Sequence, residues 1–105
     1  MAEHTAVSVN KVTIRLTDER WFHISEGHPE MAGMFFEILE TISTPDFIAA
    51  GNAGELIAVK AIKNEKNIVA VYKETDEKDG FVITSFLTNK IASIKKRTVL
   101  WEKQK

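Results

Sequence analysis

Apolar residues occupy every second position of residues 11–17, and this alternation predicts a short strand. A helix is predicted next, because Thr17 can cap its first turn and Gly27 can end it. Residues 1–9 show no periodicity and are predicted to form a flexible tail. We therefore expect the N-terminal part of the chain to contain a tail, a strand and a helix.

The clearest helical pattern lies between Pro29 and Thr44. Proline suits the first position of a helix, since the N–H group that it lacks would have no partner there. The helix is expected to end at Thr44, because a residue that precedes a proline resists the helical conformation. After it, Phe47 and Ile48 are expected to anchor a loop. The apolar residues that recur every three or four positions are Met31, Met34, Phe35, Ile38, Leu39 and Ile42.

The second half of the chain has the pattern of strands joined by short turns. The predicted strands span residues 55–62, 67–75, 80–88 and 98–102, and polar loops of hairpin length separate the first three. A strand and two helices followed by a run of strands indicate an α+β domain. We predict that the N-terminal strand and both helices pack on one face of an antiparallel β-meander of about four strands.

The composition is that of one small globular domain. The chain has 105 residues, of which 44% are hydrophobic and 28% charged, and we assign the domain to residues 10–105. It contains no cysteine, which excludes disulfides, thiolate nucleophiles and cysteine-based zinc sites. No apolar run approaches the ~20 residues of a membrane-spanning helix, and the N-terminus lacks the pattern of a secretory signal. We therefore expect a cytoplasmic protein without a membrane partner.

The net charge of −1 hides an uneven distribution. Residues 1–88 carry 8 Lys and Arg against 14 Asp and Glu, a balance of −6, and residues 89–105 carry 6 against 1, a balance of +5. A basic end on an acidic body is typical of a phosphate-binding face. It also occurs as a solvated end that protects a last strand from aggregation. Both interpretations stay open at this point.

Two histidines are the strongest candidates for chemistry in a chain without cysteine. His23 and His28 flank the turn at Gly27, which could bring both rings to one side. A histidine pair suits a general base and a general acid in one site, although the two side chains also suit simple helix caps. Their spacing is not that of helical metal ligands, so the sequence predicts neither a metal nor a cofactor.

Polar side chains also interrupt the predicted strands. Lys60 and Lys73 each lie in an apolar stretch, where a lysine either lines a site or extends its ammonium to solvent. Thr84, Ser85 and Thr88 place hydroxyl groups along one strand, where they can bind phosphate, orient a nucleophile or simply favour the strand. The chain has no glycine-rich phosphate loop, nucleophile elbow or dinucleotide fingerprint.

The order of these segments resembles a known family over residues 13–101. The segments are HISEGHPE, TPDFI, GELIAVK, NIVAVYKE and DGFVITSFLTNKI, and the first and last are the most specific. They resemble the phage-associated nuclease branch of the barnase–EndoU–colicin–RelE superfamily. The resemblance implies a helical part packed against an antiparallel sheet and metal-independent cleavage of RNA on the concave side of the sheet. Such proteins occur as toxins or as domains of phage and mobile-element proteins.

The resemblance also implies a mechanism in which a ribose 2′-hydroxyl attacks its own phosphodiester. One histidine would take the 2′ proton, another group would protonate the leaving 5′ oxygen, and a lysine would stabilise the charged phosphorane. DNA lacks this hydroxyl and is expected to be spared. RNA and an antitoxin or immunity protein are the implied partners. The implied catalytic residues are His23, His28, Lys60, Ser85 and Thr88, and the implied RNA contacts are Lys73, Thr84, Lys90, Lys95, Lys96 and Arg97.

Two other functions fit the same sequence. The first is a catalytically inactive interaction or structural domain of the same fold. The second is a small-molecule binder with a closed pocket, which Met31, Met34, Phe35 and Phe86 would line. The nuclease hypothesis requires that both imidazoles and the Lys60 ammonium meet in one accessible cleft.

Overall fold

The computed structural model describes residues 3–104, which form three α-helices, one 3-10 turn and seven strands in a single mixed sheet. Met1 and Ala2 of the predicted tail, and Lys105 of the predicted domain, lie outside the described residues. Within residues 3–104, no helix is long and apolar enough to span a membrane. The strands are β1 (Glu3–Val7), β2 (Thr13–Thr17), β3 (Phe47–Ala50), β4 (Leu56–Ala61), β5 (Asn67–Glu74), β6 (Asp79–Thr88) and β7 (Val99–Glu102), and the helices are α1 (Asp18–Gly27), α2 (Phe35–Ser43) and α3 (Ala92–Lys95).

The predicted α+β class is confirmed, but the sheet is larger than the predicted meander. The strand order is β1-β2-β6-β5-β4-β3-β7, in which β3 to β6 form an antiparallel meander. The N-terminal strand β2 joins this sheet parallel to β6, with Thr13 beside Asp79. The last strand, β7, pairs with β3 at the other end of the sheet instead of extending the meander beyond β6.

Two strands form where the sequence predicted none. Residues 3–7, predicted as part of a flexible tail, form β1, which pairs with β2 and buries Ala6. Phe47 and Ile48, predicted as loop anchors, belong to β3, whose first three residues are all buried. A strand that is buried on both faces shows no alternation, which explains why the pattern did not reveal β3.

The predicted second helix divides into two parts. Pro29–Met31 form a 3-10 turn, and α2 begins only at Phe35. Gly33 separates them with a φ of +80°, a conformation that glycine adopts at little cost and that cannot continue a right-handed helix. The N-cap of α1 is as predicted, because the Thr17 hydroxyl accepts a hydrogen bond from the Arg20 N–H at 3.1 Å.

The two faces of the sheet are covered unequally. On one face, α2 packs on β1, β4 and β5, and the apolar side chains of both long helices meet the sheet in the larger core. On the opposite face, a smaller core contains Phe47, Ile57, Val59 and Val69. Within residues 3–104, only partly buried apolar side chains pack against this core: Val71 and Phe86 of the sheet, and Ile91 and Ile94 in and before α3. This second face is therefore where the sheet is open to a ligand.

Candidate functional site

A cleft of about 390 Å³ opens on the sheet face that α1 and α2 leave uncovered. Its apolar floor comes from Ile57 on β4, Val71 on β5 and Phe86 on β6, with Ile94 of α3 at one side. The three sheet residues share a face. Ile57 pairs with Val71, Phe86 pairs with Val69, and Val71 and Val69 lie on the same face because they are two residues apart in one strand. The polar groups that line the cleft are Asn52, Glu55, Ser93 and Arg97.

The loop between β3 and β4 is folded around the carboxylate of Glu55. Glu55 Oε1 accepts a hydrogen bond from the Ala53 N–H at 2.6 Å, and the Gly51 N–H donates to the Glu55 carbonyl at 2.8 Å. The Glu55 side chain lies so close to Gly51 that a Cβ atom there would overlap it. Glycine at position 51 is therefore what allows the carboxylate to occupy this place in the cleft.

The pKa of Glu55 is lower than the ordinary value for a glutamate. The main cause is the hydrogen bond from the Ala53 backbone, followed by one from the backbone of Glu55 itself. Desolvation raises the pKa by a smaller amount, and the positive charges of Lys73 and then Arg97 have the smallest effects, both of which lower it. Glu55 is therefore an ionised carboxylate at neutral pH, and two cations stand near it.

Both cations bind the same loop. Arg97 Nη1 donates to the Asn52 side-chain oxygen at 2.8 Å and to the Ala50 carbonyl at 3.2 Å. Lys73 Nζ lies 3.5 Å from the Ala53 carbonyl. These are neutral acceptors, which leave the positive charges of Lys73 and Arg97 without a direct carboxylate partner in residues 3–104. Arg97 lines the cleft itself, and Lys73 lies at the loop beside it.

His28 follows the last residue of α1 and lies beside Phe86, one of the residues of the cleft floor. Its N–H donates to the Ile24 carbonyl at 2.7 Å, and Pro29 then turns the chain away. The imidazole is half-exposed and its centre lies 5.7 Å from that of the Phe86 ring. Its Nδ1 lies 3.4 Å from a Glu30 carboxylate oxygen. The structure thus brings one predicted histidine next to the floor of the cleft.

The other predicted catalytic groups do not join His28. His23 is exposed on α1, beside Phe22. The Lys60 ammonium donates to the Thr44 carbonyl at 2.8 Å, at the end of α2, because Lys60 points to the helix-covered face. Ser85 is fully buried and donates its hydroxyl to the Val69 carbonyl at 2.7 Å. The predicted meeting of both imidazoles with the Lys60 ammonium is therefore not formed.

The predicted RNA contacts divide between the cleft and its surroundings. Arg97 lines the cleft, and Lys73 lies at the β3–β4 loop beside it. Thr84 lies on the same sheet face as the cleft, because it pairs with Val71 of the cleft floor. The Lys95 ammonium lies 5.6 Å from the centre of the Phe47 ring, on the same face. Lys90 and Lys96, near the start and the end of α3, are exposed. The predicted catalytic residue Thr88 accepts a hydrogen bond from the Lys90 N–H at 3.0 Å, which stabilises the turn after β6.

Sequence reasoning did not single out Glu55, Asn52 or Phe86 as the residues that shape the open face. The signal that was available is the short turn of Gly51–Gly54 followed at once by a glutamate at the start of a strand. The predicted closed pocket is not formed, because Met31 is buried in the core on the helix-covered face and Phe86 lies on the opposite one. In residues 3–104, no group of three or more His, Asp or Glu side chains could hold a metal ion.

Comparison with known proteins gives no relative for this chain: no family model matches it, and no curated protein or solved structure matches it significantly. The indications of function are therefore the side chains and the geometry of the cleft.

Proposed function

We propose that the chain is a small metal-independent endoribonuclease of the barnase and RelE type, with its active site in the cleft on the open sheet face. The observation that supports this proposal is the arrangement of the Glu55 carboxylate and the Arg97 guanidinium in one cleft with an apolar floor, with Lys73 at the adjacent loop. A base, an anion-binding pair and a flat apolar surface are the groups that RNA cleavage without a metal requires.

The cleft fits a nucleotide better than a simple anion. Phe86 offers an aromatic ring on which an unstacked base can lie, and stacking on an aromatic side chain is worth about 1–3 kcal/mol. Val71 and Ile57 extend the apolar surface beside it. Arg97 and Lys73 then face the phosphate, where the guanidinium can bind two oxygens at once. Single-stranded RNA presents both groups together, because its bases can turn out of the stack.

The proposal gives each group one role. In the proposed reaction, Glu55 takes the proton from the ribose 2′-hydroxyl, and the 2′ oxygen attacks the adjacent phosphorus. The P–O bond to the 5′ oxygen breaks, and His28 donates a proton to that oxygen. Arg97 and Lys73 stabilise the additional negative charge of the phosphorane. The products are a 2′,3′-cyclic phosphate and a free 5′-hydroxyl, so atoms and charge balance without a cofactor.

Cleavage of labelled single-stranded RNA in the presence of EDTA tests the proposal. We expect wild-type protein to cut RNA and to leave the same sequence intact when every ribose is 2′-deoxy. The variants Glu55→Gln, Arg97→Gln and His28→Ala should each lower the rate by about 100-fold or more, the usual range for a positioned acid, base or charge-stabilising group. His23→Ala is the matched control, since this exposed histidine lies outside the cleft.

Two results would contradict this proposal. One is wild-type protein that leaves a diverse set of RNAs intact under these conditions. The other is equal loss of activity in His23→Ala and His28→Ala, which would separate the activity from the cleft. Each variant must keep its wild-type thermal unfolding midpoint, so that a lost rate reports chemistry instead of unfolding.

The loop contacts favour a second candidate, a noncatalytic domain that binds an anionic partner. Arg97 already makes two hydrogen bonds to the β3–β4 loop, as a residue does when its main task is structural. In that case Arg97→Gln should weaken RNA binding and lower the unfolding midpoint, and no 2′,3′-cyclic product should form with wild-type protein.

A further inference from the structure

The outer surface of the helices combines exposed aromatic rings with acidic side chains. Phe36 is 73% exposed and Phe22 is 59% exposed. The two long helices, α1 and α2, together contain five Asp and Glu against one basic residue, Arg20. We call this surface the acidic pole, and it consists of the exposed residues Phe22, Glu26, Phe36, Glu37 and Glu40.

The last strand carries the complementary combination. Leu100 is 53% exposed and Val99 is 39% exposed, next to the exposed Lys95 and Lys96. In the described part of the chain, β7 is the end strand of the sheet and pairs only with β3, so its outer edge is open. We call this surface the basic pole, with Lys95, Lys96, Val99 and Leu100 as its members.

The exposed apolar residues are concentrated at these two places. Within residues 3–104, five large hydrophobic side chains are exposed, and four of them belong to the two poles. The fifth, Val7, lies on β1 at the other end of the sheet. Scattered apolar side chains are normal on a protein surface, whereas apolar groups inside charged patches of opposite sign are typical of contact surfaces.

We propose that the acidic pole of one copy binds the basic pole of a second copy. Charge complementarity supports this occupant, since α1 and α2 together carry five acidic residues and one basic residue, a balance of −4, and residues 89–105 carry a balance of +5. The poles lie on different elements, so the contact is heterologous and copies add head to tail. Both patches are small, and the association is therefore weak and concentration-dependent. This inference does not depend on the proposed nuclease activity.

Sedimentation equilibrium of the full chain at micromolar to millimolar concentration tests the contact. We expect the average mass to rise with concentration above the 11.8 kDa of one chain and beyond twice that value. High salt should lower it, because salt screens the attraction between exposed charges. A protein that stays at the mass of one chain over the whole range overturns the proposal.

Two variants identify the contact surfaces. Glu40→Lys reverses a charge of the acidic pole at an exposed position in the last turn of α2, where a basic side chain is favourable. Leu100→Glu changes the basic pole at an exposed position. We expect each variant alone to remain at the mass of one chain, and an equimolar mixture of the two to reach twice that mass and stop, because only one intact pair of poles remains.

The mixture separates this contact from other modes of association. If either variant associates as strongly as wild-type protein, or if the mixture remains monomeric, the head-to-tail contact is wrong. Thermal unfolding of both variants shows that they are folded. If Glu40→Lys or Leu100→Glu does not fold, Glu26→Lys and Val99→Glu replace them with the same expected outcomes.

Discussion

Tyr72 contains a buried hydroxyl group whose removal should stabilise the protein. The side chain is 0% exposed, in the core between the sheet and the helices. Within residues 3–104, its Oη is the only buried side-chain nitrogen or oxygen atom without a hydrogen-bond partner. A buried hydroxyl without a partner costs about 1–3 kcal/mol, because it has lost its hydrogen bonds to water and gained none. Tyr72→Phe removes this cost and keeps the buried ring.

The expected gain is about 1–2 kcal/mol in the free energy of unfolding. The variant leaves a void no larger than one oxygen atom, which costs about 0.3 kcal/mol at ~24 cal/mol per Å³ of cavity. For a domain of this size, 1 kcal/mol corresponds to about 4–8 °C in the unfolding midpoint. Urea unfolding and thermal unfolding of wild type and Tyr72→Phe measure the two quantities.

Ser85→Ala is the matched control for the loss of a buried hydroxyl. Ser85 is also fully buried, but its hydroxyl donates to the Val69 carbonyl at 2.7 Å. Its removal should therefore lower the free energy of unfolding by about 0.5–1.5 kcal/mol. If Tyr72→Phe and Ser85→Ala lower the free energy of unfolding equally, the Tyr72 hydroxyl has a hydrogen-bond partner in solution and the predicted stabilisation is wrong.

The same tyrosine predicts a loss of stability at alkaline pH. Burial raises the pKa of Tyr72 above its ordinary value of 10.0, and the charge of Glu74 adds a smaller effect in the same direction. Above pH ~10 the unfolded state therefore releases this proton while the folded state keeps it, and the unfolding free energy decreases by about 1.4 kcal/mol per pH unit. The advantage of Tyr72→Phe should grow over this range. The chain has one tyrosine, so tyrosinate absorbance reports this group alone.

Three further variants test the packing and the cleft. Gly80→Ala should cost about 1–3 kcal/mol by urea unfolding, because its Cβ would lie 2.7 Å from Ile14 Cδ1 and overlap the carbonyl of Lys73. Lys60→Met removes the cation at the C-terminal end of α2, which should lower the free energy of unfolding by about 0.3–1 kcal/mol and leave the rate of RNA cleavage unchanged. A lower cleavage rate at wild-type stability would show that Lys60 takes part in the reaction. Gly51→Ala should displace the cleft carboxylate and lower RNA cleavage without unfolding the protein, and an unchanged rate would contradict the assigned role of that carboxylate.

Local patterns identified most elements of this fold but not the way in which they join. The alternation in residues 11–17 and the hairpin signals around β4, β5 and β6 depend on neighbours in sequence, and the structure contains these strands close to the predicted bounds. The pairing of β2 with β6 and of β3 with β7 joins segments that are distant along the chain. No local propensity records such pairings, because they depend on the packing of the whole sheet.

The candidate site illustrates the same limit for side chains. Alternation correctly places Lys60 on the face of Ala58 and Phe86 on the face of Thr84, but β4 and β5 are apolar on both faces. The sequence therefore does not state which face the helices cover, and Lys60 was assigned to a site that lies on the other side of the sheet. Glu55 was overlooked because its importance arises from the fold of the β3–β4 loop around it.

The distribution of charge over the two faces supports a single location for a polyanionic ligand. The helix-covered side presents the acidic pole, and its basic residues are Arg20 on α1 and Lys60, whose ammonium is bound to the Thr44 carbonyl. The open face has Lys73, Arg97 and Lys95 beside apolar side chains. The acidic side chains of the helices therefore disfavour a phosphate on that side, and the cations of the open face favour one at the cleft. A net charge of −1 does not argue against RNA as a ligand, because the positive charges lie where the phosphates would bind.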